Sequence, residues 1–174
     1  MPTPERTTLP DIVAAGRELL EKGGPAGLTM QAVAERVGVR APSLYKRVRD
    51  RDALVLLVAE ATADELTGRL AASSLDIADL ARVYRAFAHE YPEGFRLLYA
   101  VDGASEALGR AADPILAATR ALVGDAHALE AARLVVAWAT GFISMELAGA
   151  FRLGGDVDEA FEYGLERLEA GLRA

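Results

Sequence analysis

The sequence contains no cysteine and only two histidines, His89 and His127. Without cysteine there is no disulfide framework, no thiolate nucleophile and no zinc–thiolate site. Neither histidine has a partner at metal-ligand spacing, and the chain has no G-x-S-x-G, H-E-x-x-H or phosphate-loop motif. Asp156 and Asp158 form a carboxylate pair, but they stand at a helix start, where acidic side chains cap and complement the macrodipole. We therefore expect no catalytic activity, no metal and no cofactor. No alternation of apolar and polar residues is long enough to propose a strand, and no repeat or Gly/Ser-rich linker is present. The first residues, Met1 to Asp11, lack the apolar segment of a signal peptide. No uncharged run is longer than Leu134 to Met145, which is shorter than the ~20 apolar residues that cross a bilayer. These absences suggest a cytoplasmic protein with no membrane partner.

The 174 residues present can bury a sizeable core in one or two compact units. The formal net charge is −7, so the chain is no general nucleic-acid coat. The charge is uneven, however. Between Leu28 and Arg51 stand Arg36, Arg40, Lys46, Arg47, Arg49 and Arg51, opposed only by Glu35 and Asp50. A basic head on an acidic body is the footprint of a protein that meets phosphate on one face.

That basic stretch reads as two short helices joined by a tight turn. Thr29 is an N-cap, and Met30, Val33, Ala34 and Val37 recur at helical spacing to form a buried face. Gly38 supplies the left-handed turn. A second helix follows over about Ala41 to Val48, with Pro42 in its first turn. Leu44 and Val48 point inward, leaving Ser43, Tyr45, Lys46 and Arg47 outward. This is a helix-turn-helix, whose second helix enters the major groove of DNA.

The remaining chain also reads as helical, with about nine helices in all and an all-α fold. The first runs from about Thr8 to Lys22, with Ile12, Ala15, Leu19 and Leu20 inward, and is stopped by Gly23-Gly24-Pro25. The fourth covers about Arg51 to Ala72. The fifth starts at an Asp76 cap and ends before Pro92. A sixth covers Pro92 to Val101. The seventh runs from about Ser105 to Val123, and Pro114 kinks or divides it. The eighth runs from near Asp125 to about Leu153, and the ninth starts at an Asp156 cap. The ninth carries a Val157, Phe161, Leu165, Leu168, Leu172 stripe. A division into a DNA-binding head, residues 1–54, and a regulatory and dimerisation body, residues 55–174, is expected.

The residues of the head resemble the DNA-binding domain of the TetR family of repressors. The family pattern is met by Thr29, Val33-Ala34, Gly38-Val39, Ser43, Leu44-Tyr45 and Lys46-Arg47-Val48, then by Arg51, Asp52 and Leu54. Val48 stands where the family commonly has Phe, and Arg47 where it commonly has His. The segment Val136 to Leu147 resembles a TetR subgroup marked by a Trp-His-Gly signature. Trp138 and Gly141 match it, while Thr140 replaces the His.

This resemblance implies a dimeric repressor on a pseudo-palindromic double-stranded DNA operator, released by a small-molecule effector. Thr29, Ser43, Tyr45, Lys46, Arg47 and Arg51 are the candidate phosphate and positioning contacts, which give affinity but no sequence information. Gln31, Arg40, Ala41 and Pro42 are the candidate base contacts: Arg can pair with guanine, Gln with adenine, and Ala or Pro can pack on a thymine methyl. The body would hold a largely apolar ligand among Phe87, Tyr91, Phe95, Tyr99, Thr119, Trp138, Phe142 and Met145, with His89, Glu90, Thr140 and Glu146 as polar groups. Each of these aromatic residues also fits plain core. The small residues of the eighth helix, Ala131, Ala132, Ala137, Gly141, Ala148, Gly149 and Ala150, allow close helix approach. The eighth and ninth helices are thus the expected homodimer surface, with completion of the monomer core as the other reading. The competing functional reading is a helical protein-interaction module with a vestigial helix-turn-helix.

Overall fold

Ten helices and no strand run through the described residues, 7–101 and 105–173, of the computed structural model. They are α1 (Leu9–Gly27), α2 (Met30–Arg36), α3 (Ala41–Leu44), α4 (Arg51–Ala72) and α5 (Ile77–Glu90). There follow α6 (Pro92–Leu98), α7 (Ser105–Ala111), α8 (Asp113–Val123), α9 (Ala128–Leu147) and α10 (Val157–Leu172). The tenth helix arises because Pro114 divides the expected seventh. Pro114 falls in the first turn of α8, where its missing N–H removes no helical bond.

The helix ends follow local chemistry. Thr8 and Asp11 form a capping box on α1: Thr8 Oγ1 accepts from Asp11 N at 3.3 Å, and Thr8 N donates to Asp11 Oδ2 at 2.8 Å. The helix breaks at Gly24, whose φ of 62° is outside the helical range, and Pro25–Gly27 add a further turn. Thr29 Oγ1 accepts from Ala32 N at 3.1 Å and caps α2. Asp76 caps α5 and Asp156 caps α10.

Two expected helices are shorter than their periodicity suggested. α3 ends at Leu44, not Val48, and hydrogen-bonded turns continue it: Arg47 N and Val48 N both donate to Leu44 O, at 2.9 and 3.0 Å. The shared carbonyl tightens the coil and ends regular helix while keeping Val48 buried. α9 covers Ala128–Leu147 rather than residues 125–153. Its end is a Schellman motif, with Ala150 N donating to Met145 O at 2.9 Å and Gly149 N to Glu146 O at 2.8 Å. Gly149, at φ 63°, therefore stops the helix before the Gly154-Gly155 pair. Ala148, Gly149 and Ala150 lie beyond the helix to which they were assigned.

The helices gather into two compact units. The first holds α1, α2, α3, α4 as far as Glu65, and the segment Tyr91–Leu108 with α6. Its core is Ile12, Leu20, Leu28, Val33, Leu44, Val48, Leu54, Val58 and Leu97. The second holds Leu66–Glu90 and the chain from Gly109 onward. Leu66, Leu80, Phe87, Ile115, Val135, Ile143, Phe161 and Leu165 are buried in it. Fully burying each such side chain contributes about 1.5–3 kcal/mol. α9 is long and apolar enough, by length and composition, to cross a membrane, which the uncharged run alone is not. Its buried residues, among them Ala131, Ala132, Val135, Ala139 and Ile143, are those of a core helix of the second unit.

Candidate nucleic-acid interface and ligand-binding body

In the first unit, burial of Met30, Val33, Ala34 and Leu44 turns the opposite sides of α2 and α3 outward. Arg40, Pro42, Ser43, Tyr45, Lys46 and Arg47 are all exposed. Arg40, Ser43, Lys46 and Arg47 border one concavity of about 870 Å³, together with Thr7. Cations and a hydroxyl that converge on one concave surface can neutralise and hydrogen-bond successive phosphates. Ala41 differs from its neighbours, since it is partly buried against the head core.

Thr29, Gln31 and Arg51 carry structural bonds. Thr29 uses its hydroxyl as the α2 cap. Gln31 is exposed and donates from Nε2 to Glu35 Oε1 at 2.5 Å. Arg51, although exposed, is tied to its own fold: its Nε donates to Leu28 O at 3.0 Å and its Nη2 to Pro25 O at 2.6 Å. It ties the start of α4 to the turn before α2. A neighbouring pair went unread in the sequence. Asp50 caps α4 by accepting from Ala53 N at 2.8 Å, and Arg49 Nε donates to it at 2.6 Å. The Ala53 N–H, then the Arg49 side chain, hold the Asp50 carboxyl below its ordinary pKa.

In the second unit, Trp138 and Phe142 join Phe151 and Phe161 in one aromatic cluster. Trp138 stacks on Phe161 with centroids 5.2 Å apart, and Phe142 lies 5.3 Å from Phe161 and 4.8 Å from Phe151. Beside it, Arg85 on α5 spans two helices. It pairs with Glu146 of α9, Nε to Oε2 at 2.9 Å, and with Asp158 of α10 at 2.6 Å, while its guanidinium lies 4.8 Å from the Phe161 ring centre. His89 Nε2 is 3.1 Å from Glu146 Oε2. The Arg85 bond holds the Glu146 carboxyl below its ordinary value, against the opposing effect of burial. Arg82 adds a two-pronged bond to Glu162 at 3.0 and 2.8 Å. Arg82, Arg85, His89, Glu146, Asp158 and Phe161 line a cleft of about 370 Å³. Thr140 Oγ1 is 3.0 Å from Tyr84 OH, so the residue replacing the signature His is a hydrogen-bond partner of α5.

The eight ligand candidates divide between the units. Tyr91, Phe95 and Tyr99 belong to the first; there Phe95 and Tyr99 meet edge to face at 5.7 Å, and Arg17 covers Tyr91 at 5.1 Å. Tyr99 is half exposed. Of those in the second, Phe87 is buried beneath Arg69, which also binds Glu90, and Met145 is half exposed. Thr119 is fully buried, and its single hydroxyl proton has two acceptors at 2.9 Å, the carbonyls of Ile115 in its own helix and of Ala128. The Ala128 contact joins α8 to α9, the work of a core residue.

Residues 5–58 match the domain described as bacterial regulatory proteins, tetR family. Residues 77–168, more than half of the chain, match the tetracyclin repressor-like C-terminal domain. The chain belongs to the TetR family. Among solved structures, a protein of unknown function from Rhodococcus sp. RHA1 is 25% identical over 100% of both chains, with a TM-score of 0.84. BioQ, solved with its natural double-stranded DNA operator, is 26% identical, with 97% of this chain and 99% of that one covered and a TM-score of 0.72. A variant of TetR from Acinetobacter baumannii AYE, solved in complex with minocycline, is 26% identical over 97% of this chain and 99% of that one, with a TM-score of 0.70. No curated protein matches the chain.

For this TetR-family regulator, sequence reasoning missed Arg85 and Phe151 in the body, and read Asp158 only as a helix-start acid and Phe161 only as part of an apolar stripe. One signal was available. Arg82, Arg85 and His89 recur at i, i+3 and i+7, which puts three basic side chains on one face of α5.

Proposed function

We propose that the protein is a homodimeric repressor that holds a pseudo-palindromic operator and is released by a small, largely apolar molecule. The observation that carries this reading is the outward, cationic surface at the end of the helix-turn-helix, with Arg40, Ser43, Lys46 and Arg47 around one concavity. Tyr45, exposed beside them, would give its phenol O–H to phosphate, and Gln31, Arg40 and Pro42 would meet base edges. The similarity to BioQ, solved with its operator DNA, supports the same partner here. The similarity to TetR solved with minocycline supports a ligand in the body, where Phe161 of the aromatic cluster lines the cleft beside Arg85.

The dimer reading rests on exposed apolar surface. Leu134, Val136 and Met145 on α9 and Tyr163 on α10 are exposed, and the small residues Ala137 and Gly141 lie between them. A two-fold pair would set two α3 segments about one DNA turn apart, ~34–36 Å. The functional division into residues 1–54 and 55–174 is part of this proposal, with the cytoplasm as the place of action. A ligand that favours one tilt of α4 would change the spacing of the two heads. Its effect is bounded by its difference in affinity for the two states, about 1–3 kcal/mol of coupling.

The test is fluorescence anisotropy on duplex DNA from upstream of the protein's own gene, across a salt series, with Lys46→Glu/Arg47→Glu as control. Tight binding that weakens steeply with salt and is abolished in the control is expected. Binding indifferent to the charge reversal would favour a protein-interaction module instead.

A further inference from the structure

We infer that Glu35 is a positioning residue for base recognition: it orients the Gln31 amide so that Gln31 selects adenine over guanine. This rests on the DNA-binding reading above and goes beyond it, because the charge of Glu35 excludes a phosphate contact and leaves its bond to Gln31 to be explained. The two residues stand four apart on α2, on the side opposite buried Met30, Val33 and Ala34, and both are exposed. Their contact is Gln31 Nε2 to Glu35 Oε1, at 2.5 Å.

The orientation of this amide follows from chemistry. A carboxylate has no proton to give, so only the nitrogen end of Gln31 can face it. One of the two Nε2 hydrogens is then engaged. The open edge of the amide keeps one acceptor, Oε1, and one donor, the other N–H. That pair complements adenine in the major groove, which offers the N6 amino donor and the N7 acceptor. Guanine offers two acceptors, N7 and O6, on the same edge. A fixed Gln31 would set Oε1 against one of them, with the Glu35 carboxylate adding repulsion behind it. A glutamine free to turn about its terminal torsion can instead offer N–H groups to guanine. The contact with Glu35 removes that option.

The experiment is selection of the full-length chain on duplexes with randomised half-sites, followed by sequencing, for the native protein, Gln31→Ala, Glu35→Ala and the double variant. Circular dichroism melts show whether each variant is folded. The native protein is expected to prefer adenine over guanine about 5- to 100-fold at one position of each half-site, the discrimination of one bidentate contact. Gln31→Ala should lose that preference. Glu35→Ala should lower it to within about threefold at the same position, leave other positions unchanged, and add nothing in the Gln31→Ala background. Retention of the full adenine preference in Glu35→Ala would overturn the inference. So would an equal effect of Glu35→Ala with and without Gln31, since Glu35 would then act on the base directly. If the native protein selects no sequence at all, the DNA-binding reading falls first and this inference with it.

Discussion

Glu21 on α1 caps α6 through Gly94. Its Oε1 accepts the Gly94 N–H at 2.7 Å, and its Oε2 accepts the Glu93 N–H at 3.1 Å. α6 has no capping bond from its own N-cap residue, Tyr91, so a side chain from the first helix satisfies its orphan donors. The approach is tight. A Cβ on residue 94 would sit 3.0 Å from Glu21 Oε1 and 3.1 Å from Thr62 Cγ2. Gly94→Ala should destabilise the protein by about 1–3 kcal/mol. Glu21→Ala, which leaves two N–H groups without their acceptor, should do so by a similar ~1.5–3 kcal/mol. Urea unfolding checks both, and unchanged midpoints would mean that α6 is held by apolar contacts alone.

Gly164 on α10 makes room for the only tryptophan. A Cβ there would lie 2.5 Å from Trp138 Cζ2, too close for any carbon to remain. Gly164→Ala should push the indole off Phe161 and lower stability by about 1–3 kcal/mol, despite alanine's better helix propensity. Tryptophan emission reads this cluster alone. A variant with native emission and an unchanged unfolding midpoint would contradict it.

Acid should loosen the body through Glu146. The bond from Arg85 holds its carboxyl below the ordinary value of 4.5, burial opposes this, and His89 adds to the lowering. A depressed carboxyl binds fewer protons in the folded state than in the unfolded one. Its stabilising effect is complete above about 4.5 and is lost as pH falls through the folded value. Glu162, lowered by Arg82, acts in the same direction. Urea midpoints measured from neutrality to about pH 3 should fall for the native chain and fall less steeply for a less stable Glu146→Gln variant. Parallel curves would remove Glu146 from the account.

Thr7 Oγ1 is buried and has no hydrogen-bond partner among the described residues. Thr7→Val keeps the shape and removes the unsatisfied group, so it should stabilise the head by about 1–3 kcal/mol. A lower melting temperature in the variant would show that the hydroxyl is hydrogen-bonded in solution.

Much of the fold was legible because it is written in local chemistry. Thr8, Thr29, Asp76 and Asp156 cap helices where hydroxyl or carboxylate side chains precede an apolar period, and each does so within its own first turn. Where the reading overran, two signals competed. Apolar periodicity carried α9 on to Leu153, but backbone bonds around Gly149 close it at Leu147. The basic stretch of the head was legible as charge. The destination of each charge was not: Arg47 borders the outward concavity, whereas Arg51 is bonded to two carbonyls contributed by residues more than twenty positions earlier.

The sequence by itself determined an all-helical chain, a helix-turn-helix with its buried and outward faces, and membership of a recognisable family. These depend on caps, glycine turns and 3.6-residue periodicity, which act over a few residues. Only the tertiary structure decided that Glu21 caps a helix seventy-two residues away, that Arg85 binds Glu146 and Asp158, and that Thr140 meets Tyr84. Such partners are chosen by which surfaces pack together. Side-chain type fixes what a group can bond to, and packing fixes what comes within reach.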